Sequence, residues 1–190
     1  MDLQEYSKLA SLTALYPNRG SNLSYAVLGL AGESGEVAGK IANYLSTNTT
    51  FTDDQKQNIK KELGDVLWYI NASFHEAGLD FIYTSLDDVL NTMEDVEIIK
   101  DSDIWVPFLK LTEASGKVSE RTKKLMRDHG GIITESYREL IRYDLLKVLR
   151  ILGLCGSIIG YSLEDIAFTN IHKLFDRGLR NKIKGDGDNR

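Results

Sequence analysis

Apolar residues recur along this chain at spacings of three and four, and turn-forming clusters separate the runs. That period belongs to helices with one buried face. Residues 2–15 predict a first helix capped by Asp2, with Leu3, Tyr6, Leu9, Leu12 and Leu15 along one side. Pro17-Asn18-Arg19-Gly20 breaks it. A second helix follows Asn22 or Ser24 and runs to about Leu45, before a polar stretch. Thr52-Asp53-Asp54-Gln55 has the form of a capping box. It opens a third helix with Ile59, Leu63, Val66, Ile70 and Phe74 on its core face, ending at Ala77-Gly78. A fourth is expected from Ser85, followed by an acidic connector from Met93 to Asp103. After Pro107 the pattern begins again. One helix runs to about Asp128 and stops at His129-Gly130-Gly131, and another runs from Thr134 or Glu135 to about Ile159. Ser162 caps the last, which closes near Arg177-Gly178. No stretch alternates as a strand would, so the expected fold class is all-α.

The restart suggests an internal repeat of roughly 80 residues. Leu30 to Lys40 lies over Leu111 to Arg121, Glu62 to Leu67 over Asp144 to Leu149, and Thr84 to Val89 over Tyr161 to Ile166. The expected organisation is a helical bundle of two fused halves, residues 1–100 and 101–190, forming one compact unit. In that alignment Glu33 becomes Ala114, Glu36 becomes Lys117 and Asp65 becomes Lys147, while Glu62 keeps an acid, Asp144. The second half is therefore degenerate, and a single acidic site per chain is expected.

That site is the candidate chemistry. Glu33 and Glu36 are three apart on the second helix, and Glu62 and Asp65 are three apart on the third. Residues so spaced share a helix face. If the two helices pack antiparallel, four carboxylates converge, and their mutual repulsion calls for a cation. An oxygen-preferring divalent ion, Mg2+ or Mn2+, fits that donor set. Gly29, Gly32, Gly35 and Gly39 all fall inside the second helix, where each costs about 1 kcal/mol relative to alanine. Their presence predicts a close approach of another helix or a ligand. Trp68 and Tyr69 extend apolar character toward Asp65, either as core or as a base-stacking surface.

Composition narrows the field without adding to it. The formal charge of −5, with no dense basic block, predicts neither a nucleic-acid nor a membrane partner. No secretory or transit segment and no apolar run of spanning length is evident, so the cytoplasm is the expected compartment. The single Cys155 sits among Leu152, Leu154 and Ile158 as a core residue. His75, His129 and His172 have no metal-ligand spacing.

The run from Gly29 to Lys40, followed by Glu62-Leu63-Gly64-Asp65-Val66-Leu67-Trp68-Tyr69, resembles the MazG-like branch of the all-α nucleoside triphosphate pyrophosphohydrolases. That superfamily also contains the dimeric dUTPases and the phosphoribosyl-ATP pyrophosphohydrolases. Its signature is Glu-x-x-Glu, a spacer, then Glu-x-x-Asp. The segment Ser162 to Ala167, then Asn170 to Leu174 with Arg177, and the tail Lys184 to Arg190 are similar to the closing helix and tail of small members. Two departures stand out: Gly32 replaces a glutamate common in relatives, and an added segment from about Leu90 to Cys155 separates the halves.

The resemblance implies Mg2+-dependent cleavage of a (d)NTP to the (d)NMP and pyrophosphate. Glu33, Glu36, Glu62 and Asp65 would hold the metal, with Glu33 the choice for accepting the proton of the attacking water. Lys173 and Arg177 would neutralise the triphosphate, and Asn170 would bind phosphate or sugar. Lys40 would assist them or pair with Glu36. The tail, including Asn189 and Arg190, would fold over a bound nucleotide or be a plain terminus. A homodimer, in effect a pseudo-tetramer of halves, is expected. A dUTPase-type activity and a non-catalytic bundle that binds nucleotides or a protein remain the alternatives.

Overall fold

The computed structural model describes residues 1–46, 50–80 and 103–180, and among these residues there are six helices and no strand. They are α1 (Leu3–Leu12), α2 (Leu23–Leu45), α3 (Asp53–Glu76), α4 (Val106–His129), α5 (Glu135–Ile158) and α6 (Leu163–Leu179). The class is all-α, as the period predicts. The helix expected from Ser85, the acidic connector and the tail from residue 181 lie outside the described residues.

The starts follow local chemistry. Side chains of Asp2, Asn22 and Thr134 accept hydrogen bonds from the third backbone N–H beyond them. Such caps satisfy donors that the first turn leaves open. Thr52 with Gln55 and Ser162 with Asp165 make reciprocal capping boxes. Helix α4 has no side-chain cap and instead carries Pro107 in its first turn, where no backbone donor is needed. Gly130 closes α4 in a left-handed conformation (φ 58°), which glycine adopts without a Cβ penalty.

Contacts fix how the helices run. Lys40 meets Glu62, Gly29 meets Tyr69, and Asn22 meets Glu76, so α2 and α3 are antiparallel. Ser24 touches Met126 while Ser34 touches Ser115, so α2 and α4 are antiparallel as well. Helix α5 folds back on α4 and packs on α3, and α6 turns off α5 at 96° to lie against α3 and α1. One apolar core joins all six, and the predicted α3 face of Ile59, Leu63, Val66, Ile70 and Phe74 is buried in it. Cys155 is buried there too, which pushes its thiol pKa up and keeps it protonated. Among the described residues no single helix is long and apolar enough to cross a membrane.

Equivalent positions of the proposed halves make matching contacts. Lys40 pairs with Glu62 between α2 and α3, and Arg121 pairs with Asp144 between α4 and α5. Ser34 donates to Leu30 O and Ser115 to Leu111 O, and the two hydroxyls lie 2.7 Å apart.

Two expectations need correction. The first helix ends at Leu12 rather than at residue 15, so Leu15 lies beyond it and is exposed. On α1 the buried stripe is Leu3, Tyr6 and Ala10, whereas Leu12 is exposed, because a strict spacing of three falls about 60° short of a full turn at each step and rotates off the core face. The glycines of α2 are also not uniformly crowded. A Cβ at Gly29 would stand 2.0 Å from the Tyr69 ring, but at Gly32, Gly35 and Gly39 it would meet nothing within 4 Å.

Candidate metal centre

Three of the four predicted acids come together. Glu33 from α2 and Glu62 and Asp65 from α3 each offer a carboxylate oxygen within 4.8 Å of the others. Glu62 is buried, and Glu33 and Asp65 are half-buried. Glu36 is exposed and stands outside this cluster, near enough for its charge to act on Glu33. The reason is again angular: three residues advance the helix by about 300°, so Glu36 points some 60° away from Glu33.

Electrostatics at the cluster are strained. The Glu33 carboxyl is pushed up to about 8, first by burial and then by the charges of Asp65, Glu36 and Glu62, with Lys173 opposing. A carboxylate desolvated beside like charges resists ionising. Two lysines supply counter-charge. Lys40 pairs with Glu62 rather than with Glu36, and Lys173 from α6 pairs with Asp65. Asn170, one turn before Lys173, donates from Nδ2 to Asp65 Oδ1 at 3.1 Å, and its own Oδ1 accepts from the Tyr6 hydroxyl at 2.8 Å. Gly64 makes room, because a Cβ there would stand 2.9 Å from Asn170 Cβ. Arg177 is buried one turn beyond Lys173. Asn189 and Arg190 lie outside the described residues.

Aromatic rings flank the acids. Tyr16 stacks on Tyr25 with centroids 4.5 Å apart, and Trp68 and Tyr69 continue the cluster. Trp68 is half-buried and donates from Nε1 to Thr13 Oγ1 at 2.9 Å, which assigns it to the core. Tyr69 is hydrogen-bonded to Tyr25, and burial raises its hydroxyl pKa. Tyr25, Gly29 and Glu33 are four apart and share a face of α2.

Two residues whose polar roles the periodic pattern did not flag shape this region. Tyr6 reads as an apolar position, yet a buried tyrosine hydroxyl requires a partner, and that requirement was the available signal. Glu76 ends α3 and accepts from the Tyr16 hydroxyl at 2.7 Å and from the backbone N–H groups of Gly20 and Asn22. These donors hold its pKa below the ordinary value against the opposing effect of burial. It clamps the α1–α2 turn.

Hard oxygen donors converge here from two antiparallel helices, with lysines at their edge, a donor set of the kind that divalent cations take. The donor set fits Mg2+ or Mn2+: every group is a carboxylate, and Glu33 resists ionisation because it is buried beside like charges. The family model of the MazG nucleotide pyrophosphohydrolase domain matches residues 22–95, and the chain belongs to this MazG-like family. All four predicted acids lie inside that match, whereas Tyr6, Asn170 and Lys173 lie outside it. The chain is similar to "Gene 37 protein" of Mycobacterium phage L5, 38% identical over 76 residues that cover 37% of this chain and 67% of the relative. No solved structure matches it.

Proposed function

We propose that this protein is a Mg2+-dependent nucleoside triphosphate pyrophosphohydrolase, which cleaves the bond between the α- and β-phosphates of a (d)NTP to release pyrophosphate. The observation that carries the proposal is the Glu33–Glu62–Asp65 cluster inside the MazG domain. A cation held there would polarise phosphate oxygens and acidify a water. Glu33 is the group proposed to take that water's proton, because its environment sets it apart from the two carboxylates already paired with lysine.

The remaining residues divide by their partners. Lys173, with Arg177 one turn on, is proposed to neutralise the triphosphate. Asn170 is proposed to hold Asp65 rather than to touch phosphate or sugar. Lys40 is proposed to brace α2 against α3, because Arg121 and Asp144 make the same pair in a half that has lost the other three acids. Those matching pairs and the Ser34–Ser115 contact support a fused duplication with one active half. Glu36, on the exposed side, is proposed to reach the ion only with substrate in place. Asn189 and Arg190 stay proposed as contacts to the nucleotide. A homodimer in the cytoplasm, where the nucleotide pool lies, completes the proposal.

The test is pyrophosphate release with Mg2+ across the four dNTPs, dUTP and oxidised dGTP, comparing wild type with Glu62→Ala and Asp65→Ala. The expected result is release from at least one nucleotide, abolished in both variants at unchanged helical content. A preference for dUTP would make it a dUTPase. Absence of release from every nucleotide would leave a non-catalytic bundle.

A further inference from the structure

Asp65 is held by protein groups on both oxygens. Lys173 takes Oδ2, and Asn170 Nδ2 takes Oδ1. The carboxylate dictates how the Asn170 amide must face, since turning Oδ1 toward it would set two acceptors against each other. The amide oxygen is then left needing a donor in a fully buried place: Asn170 is 1% exposed. Tyr6 supplies that donor from α1, with its ring wholly inside the core. Close approach of Asn170 to Gly64 leaves the amide little room to move. Three helices thus meet in one chain of hydrogen bonds that ends on a proposed metal ligand, and two of them lie outside the matched domain.

We infer that Tyr6 is a positioning residue for the metal centre, orienting Asp65 through Asn170. The inference rests on the proposed function, because it needs Asp65 to be a ligand. Groups behind a ligand set its direction and basicity, and their loss costs about tenfold to a hundredfold in metal affinity. A role confined to tying α1 to α6 would change stability and leave affinity alone.

The experiment is Mn2+ titration of the full chain without nucleotide, read by electron paramagnetic resonance, with thermal melting alongside. Tyr6→Phe removes only the hydroxyl and keeps the ring in the core. Asn170→Ala keeps the Cβ that sits against Gly64. The expected result is a loss of Mn2+ affinity of about tenfold in Tyr6→Phe, a similar or larger loss in Asn170→Ala, and no further loss in the double variant. Ile151→Val, a core change away from this chain of bonds, should melt earlier and bind Mn2+ as wild type does. Tyr6→Phe with wild-type affinity, or losses that add in the double variant, would overturn the inference while leaving the metal site standing. A wild type that binds no Mn2+ would overturn the metal site itself, and the inference with it.

Discussion

Cation binding at this centre should expel a proton, and Glu33 should be its source. Burial and the neighbouring acids push its carboxyl up to about 8. At pH 7 that leaves roughly 0.9 proton on it, and at pH 9 roughly 0.1. A cation that draws Glu33 into its ligand set needs the carboxylate, so binding and proton release are linked. The sign for stability follows. Glu33 titrates higher in the folded chain than in the unfolded one, so its neutral form favours folding. That contribution is complete below the ordinary carboxylate range and is lost as pH rises through about 8. Mg2+ should therefore protect the fold more at pH 8.5 than at pH 6. Isothermal calorimetry of Mn2+ binding in buffers of different ionisation enthalpy counts the protons directly. The expected count is near one per ion at pH 7 and near zero at pH 9, with Glu33→Gln releasing none. Mn2+ binding without proton release at pH 7, or with undiminished release in Glu33→Gln, would refute the link between Glu33 and the cation.

Other consequences are open to simpler assays. Alanine at Gly32 or Gly39 should raise stability by up to about 1 kcal/mol, or about 2–4 °C in a thermal melt, since a Cβ there meets nothing. Alanine at Gly29 should lower stability by about 1–3 kcal/mol before that gain is counted, because the Tyr69 ring must move; equal effects at all three sites would contradict the packing described. Glu76→Ala strands three donors and should cost about 2–3 kcal/mol in urea unfolding, a loss that a change within error would rule out. Tyr25→Ala removes an exposed ring on the Glu33 face. If that ring seats the base, KM should rise with kcat nearly unchanged, and unaltered KM would place the base elsewhere.

Helix positions were legible because caps and periodicity are local. Thr52 and Ser162 announce their helices from four residues of sequence, and the α3 core face repeats at the right angle along its length. The acids were legible as pairs, since a spacing of three defines a shared side. Their exact membership was not. Sharing a side leaves about 60° of latitude, and whether Glu36 falls inside the cluster depends on how α2 rolls against α3. The same roll decides that Gly29 faces Tyr69 while Gly32 and Gly39 face open space. Pairing with Glu36 on its own helix, one of the two roles expected of Lys40, is visible in sequence because the two are four apart. The partner of Lys40, Glu62, is across the helix interface and 22 residues away. Tyr6 and Asn170 are 164 residues apart, beyond the reach of any local rule. Only the general demand that buried hydroxyls find partners pointed to such a link.

The most direct measurement is a crystal structure of the full chain grown with Mn2+, with anomalous difference maps recorded at the manganese edge. Density bounded by Glu33, Glu62 and Asp65, with none beside Asp144, is the predicted result. Anomalous density confined to other carboxylates, or no density between α2 and α3 at saturating Mn2+, would contradict the central claim.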